Sequence, residues 1–84
     1  MHRPELLLYV KAGCPWCCVA EDYLNRHGYR YRSIDVRNDR SAFDELRRVS
    51  GQTLAPTLVV DGKVLPDFGP DELQHFLKTN QIEP

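Results

Sequence analysis

Two cysteines three residues apart, Cys14 and Cys17, are the side chains of this 84-residue chain whose types and spacing are most indicative of chemistry. They follow an apolar run and precede a segment with helical spacing, so they fall where a strand passes into the first turn of a helix. A helix N-terminus carries unpaired N–H groups and about half a positive charge, and both stabilise a thiolate, the nucleophilic form of cysteine. The spacing also places both sulfurs on one side of that turn, close enough to form a small disulfide. The pair therefore predicts thiol–disulfide exchange, with Cys14 as the more exposed, attacking sulfur.

Alternative uses of the pair are an inert buried position or half of a zinc site. A structural zinc site needs a complete set of Cys or His ligands. The remaining candidates are Cys18 and three histidines, with no second C-x-x-C and no histidine pair at zinc-finger spacing. A pure binding module would have no use for Cys17. We therefore predict a redox pair, no metal ligands and no permanently bound cofactor, and we expect Cys18 to be a surface bystander.

Composition and charge describe an ordinary globular chain. Hydrophobic residues make up 42% and charged residues 27%, and the net charge is −1. This balance argues against nucleic acid or an anionic membrane as a partner. Neither a signal peptide nor a membrane span is apparent, and so few cysteines do not suggest a structural disulfide framework. We expect one domain over residues 1–84, a monomer, and a reducing, cytoplasmic location.

The elements that must position the cysteines can be predicted from apolar periodicity and turn residues. We expect a frayed start at Met1 to Pro4, and an Asp61-Gly62 hairpin turn between the last two strands. The order βαβαββα predicts an α/β fold, a four-stranded mixed sheet flanked by three helices. The predicted bounds are strand Glu5–Lys11, helix Pro15–His27, strand Tyr29–Val36, helix Arg40–Ser50, strand Pro56–Asp61, strand Lys63–Leu65 and a helix from Pro70 to at least Leu77.

The motif Cys14-Pro15-Trp16-Cys17 after the first strand, with Ala55-Pro56 before the third, resembles the glutaredoxin family of the thioredoxin fold. The resemblance extends over nearly the whole chain, from residue 5 to residue 77. It implies a dithiol oxidoreductase that acts on glutathione and protein disulfides, with glutathione as co-substrate. In that family the proline before the third strand is cis and faces the dithiol.

The resemblance also implies a groove for glutathione beside the dithiol. In the family, the backbone at the position of Ala55 pairs with the glutathione peptide. Lys11 matches a lysine that favours the thiolate and contacts a glutathione carboxylate, and Asp71 matches an aspartate that holds the γ-glutamyl amino group. The residues implied for this groove are Lys11, Trp16, Leu54, Ala55, Pro56, Gly69 and Asp71.

Two departures from the family pattern leave the reductant open. Leu54-Ala55-Pro56 stands where Thr-Val-Pro is usual, and residues 68–70 read Phe-Gly-Pro where the family has Gly-Gly. Pro70 cannot donate an N–H to a γ-glutamyl carboxylate. Phe68 is expected in the core; the alternative is a position beside Asp71 that lines the groove and narrows the approach of the ligand. These elements resemble the small glutaredoxin-like electron donors of ribonucleotide reductase, which take electrons from a flavoprotein, thioredoxin reductase. A non-catalytic glutathione-binding or iron–sulfur carrier module is the alternative of another class.

Overall fold

The computed structural model describes residues 4–84, so most of the predicted frayed start lies outside the described residues. Seven elements follow one another in the predicted order. They are β1 (Leu6–Val10), α1 (Pro15–Arg26), β2 (Tyr31–Asp35), α2 (Arg40–Ser50), β3 (Thr57–Val60), β4 (Lys63–Pro66) and α3 (Pro70–Thr79).

The four strands form one mixed sheet in the order β2-β1-β3-β4. β1 pairs in parallel with β2, and β3 is antiparallel to both β1 and β4. The parallel pair is joined by α1, as a βαβ unit requires, and the antiparallel pair β3–β4 is joined by a tight turn. The predicted four-stranded mixed sheet with three helices is therefore confirmed.

Both faces of the sheet are covered, as the unbroken apolar run of β1 predicts. Successive side chains of a strand point to opposite faces, and Leu8 and Tyr9 accordingly belong to two separate clusters. Buried residues on the α1 and α3 side are Leu6, Leu8, Val10, Cys17, Ala20, Leu24, Leu58, Val60, Phe68, Leu73, Leu77 and Ile82. Buried residues on the α2 side are Tyr9, Val36 and Leu46.

Several strands and one helix are shorter than predicted, for identifiable reasons. α1 ends at Arg26, and the backbone N–H of Tyr29 still bonds to the Leu24 carbonyl, so this residue closes the helix rather than starting β2. β3 begins after Pro56 because a proline has no N–H to contribute to the ladder. By contrast, β4 runs one residue further than predicted, to Pro66, at the edge of the sheet.

The ends of α2 follow local signals in the sequence. The Asp39 carboxylate accepts from the backbone N–H of Ala42 at 3.2 Å, and Gly51 ends the helix in the left-handed region with φ 73°. The Asp61-Gly62 turn has positive φ at both residues, as the two-residue hairpin requires. Among residues 4–84, none of the three helices combines the length and apolar character needed to cross a bilayer.

Candidate active site

Cys14 is the N-cap residue of α1. Its backbone is extended, with φ −89° and ψ 111°, and its Sγ accepts a hydrogen bond from the backbone N–H of Cys17 at 3.2 Å. Pro15 occupies the first helical position, where an N–H would have no partner. Sulfur thus takes the place that a serine or aspartate oxygen takes at other helix starts. The predicted location of this half-buried sulfur at a helix N-terminus is confirmed.

Cys17 lies one turn further along α1 and is only 2% exposed. It shares the buried stripe of the helix with Ala20 and Leu24. Burial, with a further contribution from the hydrogen bond to Cys14, raises the pKa of the Cys17 thiol to about 12. Cys17 is therefore protonated and shielded, whereas Cys14 is accessible, which is the predicted difference in exposure.

Cys18 is exposed, on another face of α1. All three cysteines of the sequence are free thiols in this structure. Within the described part of the chain, no cluster of three or more His, Cys, Asp or Glu side chains is arranged to hold a metal ion.

The loop before β3 brings the backbone of Ala55 close to Cys14. The Ala55–Pro56 peptide bond is cis, as the family resemblance implies. The Cys14 thiol lies 3.9 Å from the carbonyl oxygen of Ala55, to which it donates a long hydrogen bond. Leu54, on the same loop, leaves 52% of its surface exposed, whereas Pro56 is buried. The structure thus brings Ala55 beside Cys14, and Leu54 and Pro56 are the chain neighbours of Ala55.

The start of α3 faces the start of α1. A Cβ placed on Gly69 would lie 3.8 Å from Cζ3 of Trp16 and 3.2 Å from Oε1 of Glu72. Trp16 is 58% exposed and therefore forms the rim between the two helix ends. Gly69 leaves room for both neighbours because it has no side chain. Trp16 and Gly69, both implied for the glutathione groove by the family resemblance, thus lie side by side, and glutathione binding there stays a prediction.

Phe68 lies in the core, as expected, and the alternative, a position that narrows the approach to the site, is wrong. Its side chain is 3% exposed and belongs to the core on the α1 and α3 side, together with Leu73. The two residues flank the N-cap Gly69 at the positions of a hydrophobic staple, which fixes the angle at which the chain enters α3. Phe68 is therefore an anchor for the helix rather than part of the groove.

Glu72 is the residue of this region that sequence reasoning missed. It is the third residue of α3, the position from which a capping-box glutamate reaches back over the N-cap residue. Its carboxylate accordingly lies beside Gly69. The sequence signal was a glutamate three residues after the N-cap, just before an apolar residue.

Lys11 and Asp71 line two different cavities. Lys11 borders a cavity of about 550 Å³, whose other lining residues are Val36, Arg37, Asn38, Arg40 and Phe43. Asp71 is exposed and borders a second groove, between β4 and α3. The structure therefore does not gather Lys11 and Asp71 into the same cavity as the rim formed by Trp16 and Gly69.

Asp35 forms hydrogen bonds to two residues that line the cavity beside Lys11. Its carboxylate accepts from the backbone N–H of Arg37 at 2.9 Å and from the Asn38 side chain at 2.7 Å. These hydrogen bonds lower the pKa of Asp35. These bonds thereby fix the start of the loop from β2 to α2, which lines the same cavity as Lys11.

Comparisons with known proteins agree with this geometry. The family profile described as Glutaredoxin matches residues 6–65. A protein of Clostridium pasteurianum, described as an uncharacterized glutaredoxin-like 8.6 kDa protein in the rubredoxin operon, is 25% identical over 71 residues. That match covers 84% of this chain and 95% of the relative.

Solved structures with the same fold include two small redox proteins. The thioredoxin-like protein BC3987 is 29% identical, with a TM-score of 0.79 over 86% of this chain and 99% of its own. The glutaredoxin-like protein NrdH-redoxin from Escherichia coli, whose activity profile is described as thioredoxin-like, is 20% identical. Its TM-score is 0.73 over 95% of this chain and 96% of its own, and at that identity the likeness concerns the fold alone.

Proposed function

The chain belongs to the glutaredoxin family, and on that premise we propose that it is a thiol–disulfide oxidoreductase that works through Cys14 and Cys17. The observation that carries the proposal is the contrast between the two sulfurs. Cys14 is accessible at the N-terminus of α1 and faces the Ala55 carbonyl, and Cys17 is buried one turn away. Such an arrangement supplies one nucleophile and one protected resolving thiol.

In the first step the Cys14 thiolate attacks one sulfur of a substrate disulfide. The bond between the two substrate sulfurs breaks as the bond to Cys14 forms, and the second substrate sulfur leaves as a thiolate that takes up a proton. The N–H of Cys17 and the positive end of α1 stabilise negative charge on Cys14. Ala55 offers a backbone edge with which an extended substrate can pair beside the sulfur.

In the second step Cys17 loses its proton and attacks Cys14 in the mixed disulfide. The remaining substrate thiolate leaves, and two electrons have passed from the dithiol to the substrate. The raised pKa of Cys17 keeps this thiol from competing in the first step. The Cys14–Cys17 disulfide is then reduced either by glutathione, two molecules of which become glutathione disulfide, or by a flavoprotein disulfide reductase.

Turnover with two reductant systems tests the proposal. The substrate is a mixed disulfide of glutathione and a cysteine-containing peptide, and the reductants are glutathione with its reductase, or thioredoxin reductase. We expect Cys14→Ser to abolish turnover with either system. Cys17→Ser should retain turnover with glutathione, because an external thiol can resolve the mixed disulfide, and should lose turnover with the flavoprotein. Full activity of Cys14→Ser would refute the proposal.

A second candidate is a glutaredoxin-like electron donor that thioredoxin reductase reduces, with ribonucleotide reductase as its acceptor. The start of α3 favours it: Pro70 lacks an N–H, and the Glu72 carboxylate lies beside Gly69. The resemblance implies that this is where a γ-glutamyl carboxylate would bind, and a negative charge there repels it. Faster turnover with thioredoxin reductase than with glutathione would support this candidate.

A further inference from the structure

A cluster of polar side chains holds the loop that carries Ala55, and the proposed reaction does not use it directly. The cluster comprises Ser50 at the end of α2, Gln52 in the loop, and Thr57 at the start of β3. Thr57 is fully buried, and every buried side-chain nitrogen or oxygen among the described residues has a hydrogen-bond partner. Loop side chains usually face solvent, and loops held by a rigid scaffold often carry functional groups. A hydrogen-bonded side-chain cluster in this loop therefore suggests that it positions the backbone of the loop.

Gln52 is the centre of the cluster. Its Nε2 donates to the hydroxyl of Ser50 at 2.8 Å and to the hydroxyl of Thr57 at 3.1 Å. Its Oε1 accepts the backbone N–H of Leu54. The reverse orientation of the amide would place an NH₂ group against that N–H, so the network itself fixes the orientation.

The two hydroxyl groups complete the chain of bonds in one direction. Thr57 Oγ1 donates its proton to the Leu54 carbonyl at 2.8 Å, so it can only accept from Gln52. Ser50 Oγ donates to the Leu46 carbonyl at 2.6 Å and thereby fastens the cluster to the last turn of α2.

Both backbone groups of Leu54 are consequently occupied within the protein. The next residue, Ala55, presents its carbonyl to Cys14. We propose that Gln52 and Thr57 are positioning residues that withdraw the Leu54 backbone from the substrate and hold the Ala55 backbone in register with Cys14. This inference rests on the proposed thiol–disulfide exchange and adds the residues that align its backbone edge.

The Thr57→Val and Thr57→Ser variants separate positioning from packing. Valine keeps the shape of threonine but removes the hydroxyl, whereas serine keeps the hydroxyl and removes a methyl group. With the glutathione–peptide mixed disulfide as substrate, we expect Thr57→Val to raise KM with little change in kcat. A misplacement of about 1 Å can lower the rate by about a hundredfold. We expect a smaller displacement of the Ala55 backbone here, and therefore a loss in kcat/KM on the order of tenfold. Thr57→Ser should restore the wild-type KM.

Gln52→Leu provides the second variant, with Gln74→Leu, an exposed glutamine of α3, as its matched control. Gln52→Leu should raise KM as Thr57→Val does, and the double variant should lose little more than either single one, because both break the same network. Gln74→Leu should leave KM unchanged. The rate at which iodoacetamide alkylates Cys14 should stay the same throughout, since a small reagent needs no backbone partner.

The outcomes distinguish this inference from the function on which it rests. A lower kcat/KM for Thr57→Ser than for Thr57→Val would assign Thr57 to core packing and overturn the inference. An unchanged KM in both Gln52→Leu and Thr57→Val would also overturn it. Should Gln52→Leu not fold, the Thr57 pair decides alone. Turnover that survives Cys14→Ser would instead refute the proposed function itself.

Discussion

At the scale of single residues, the difference between Cys14 and Cys17 arises from one turn of helix. The N-cap residue projects its sulfur onto the first N–H groups of α1, while the residue three positions later points into the core beside Leu24. Identical side chains thereby acquire different access to solvent, and burial raises the pKa of Cys17. Burial therefore decides which of the two sulfurs can reach and attack a disulfide in solution.

Alkylation rates should reveal this difference directly. Iodoacetamide at mildly acidic pH should label Cys14 before Cys17, because Cys17 is buried and its pKa is raised to about 12. Peptide mapping by mass spectrometry after short exposure measures the order. Cys18, the fourth residue of α1, is exposed and serves as an internal reference for access alone. Labelling of Cys17 or Cys18 ahead of Cys14 would contradict the assignment.

At the scale of elements, we expect the start of α3 to determine how tightly a glutathione carboxylate binds. Glu72→Gln removes the negative charge beside Gly69, and Pro70→Ala restores an N–H to the first turn of the helix. A hydrogen bond to a charged group is worth about 1.5–3 kcal/mol, so the double variant should lower KM for the glutathione mixed disulfide by about one to two orders of magnitude. Steady-state kinetics measure the change.

The control for that experiment is Glu83→Gln, which removes an exposed carboxylate near the C-terminus. It should leave KM unchanged. Phe68 is left intact, because its replacement would open a cavity in the core and confuse a loss of stability with an effect on binding. An unchanged KM in the double variant would show that this end of the site does not contact glutathione.

Elements with local signals could be predicted from the sequence to the residue. α2 runs from Arg40 to Ser50 as expected, because Asp39 and Gly51 mark its ends by their own chemistry. Glu72 and Gln52 were not recognised, because their roles depend on what lies across the fold. A side-chain amide that bonds to two hydroxyls and a backbone N–H leaves no periodic pattern in the sequence.

At the scale of the whole molecule, stability should fall in alkaline solution. Burial, with the hydrogen bond to Glu45 as a second cause, raises the pKa of Tyr9 from 10.0 to about 12, and that of Cys17 rises from 9.0 to about 12. The folded state thus binds more protons than the unfolded state between about pH 9 and about pH 12, so the stability present below pH 9 is lost as the pH rises through this window.

Urea unfolding of the reduced protein at about pH 8 and about pH 11 measures this loss. Tyr9→Phe should show a smaller decrease across the same interval, since one of the groups with a raised pKa is removed. Cys17→Ser should reduce the decrease as well. An equal pH dependence in the wild type and both variants would mean that neither group governs alkaline unfolding.

The unequal cores on the two faces of the sheet imply an order of local opening. Three buried residues lie on the α2 side, against twelve beneath α1 and α3, so detaching α2 exposes less apolar surface than detaching either of the other helices. Amide hydrogens of α2 should therefore exchange with solvent through smaller openings than those of α1. Because Ser50 at the end of α2 anchors the loop that bears Ala55, each such opening also releases the substrate-facing edge. We therefore expect α2, which lies outside the proposed binding edge, to set how long that edge stays assembled.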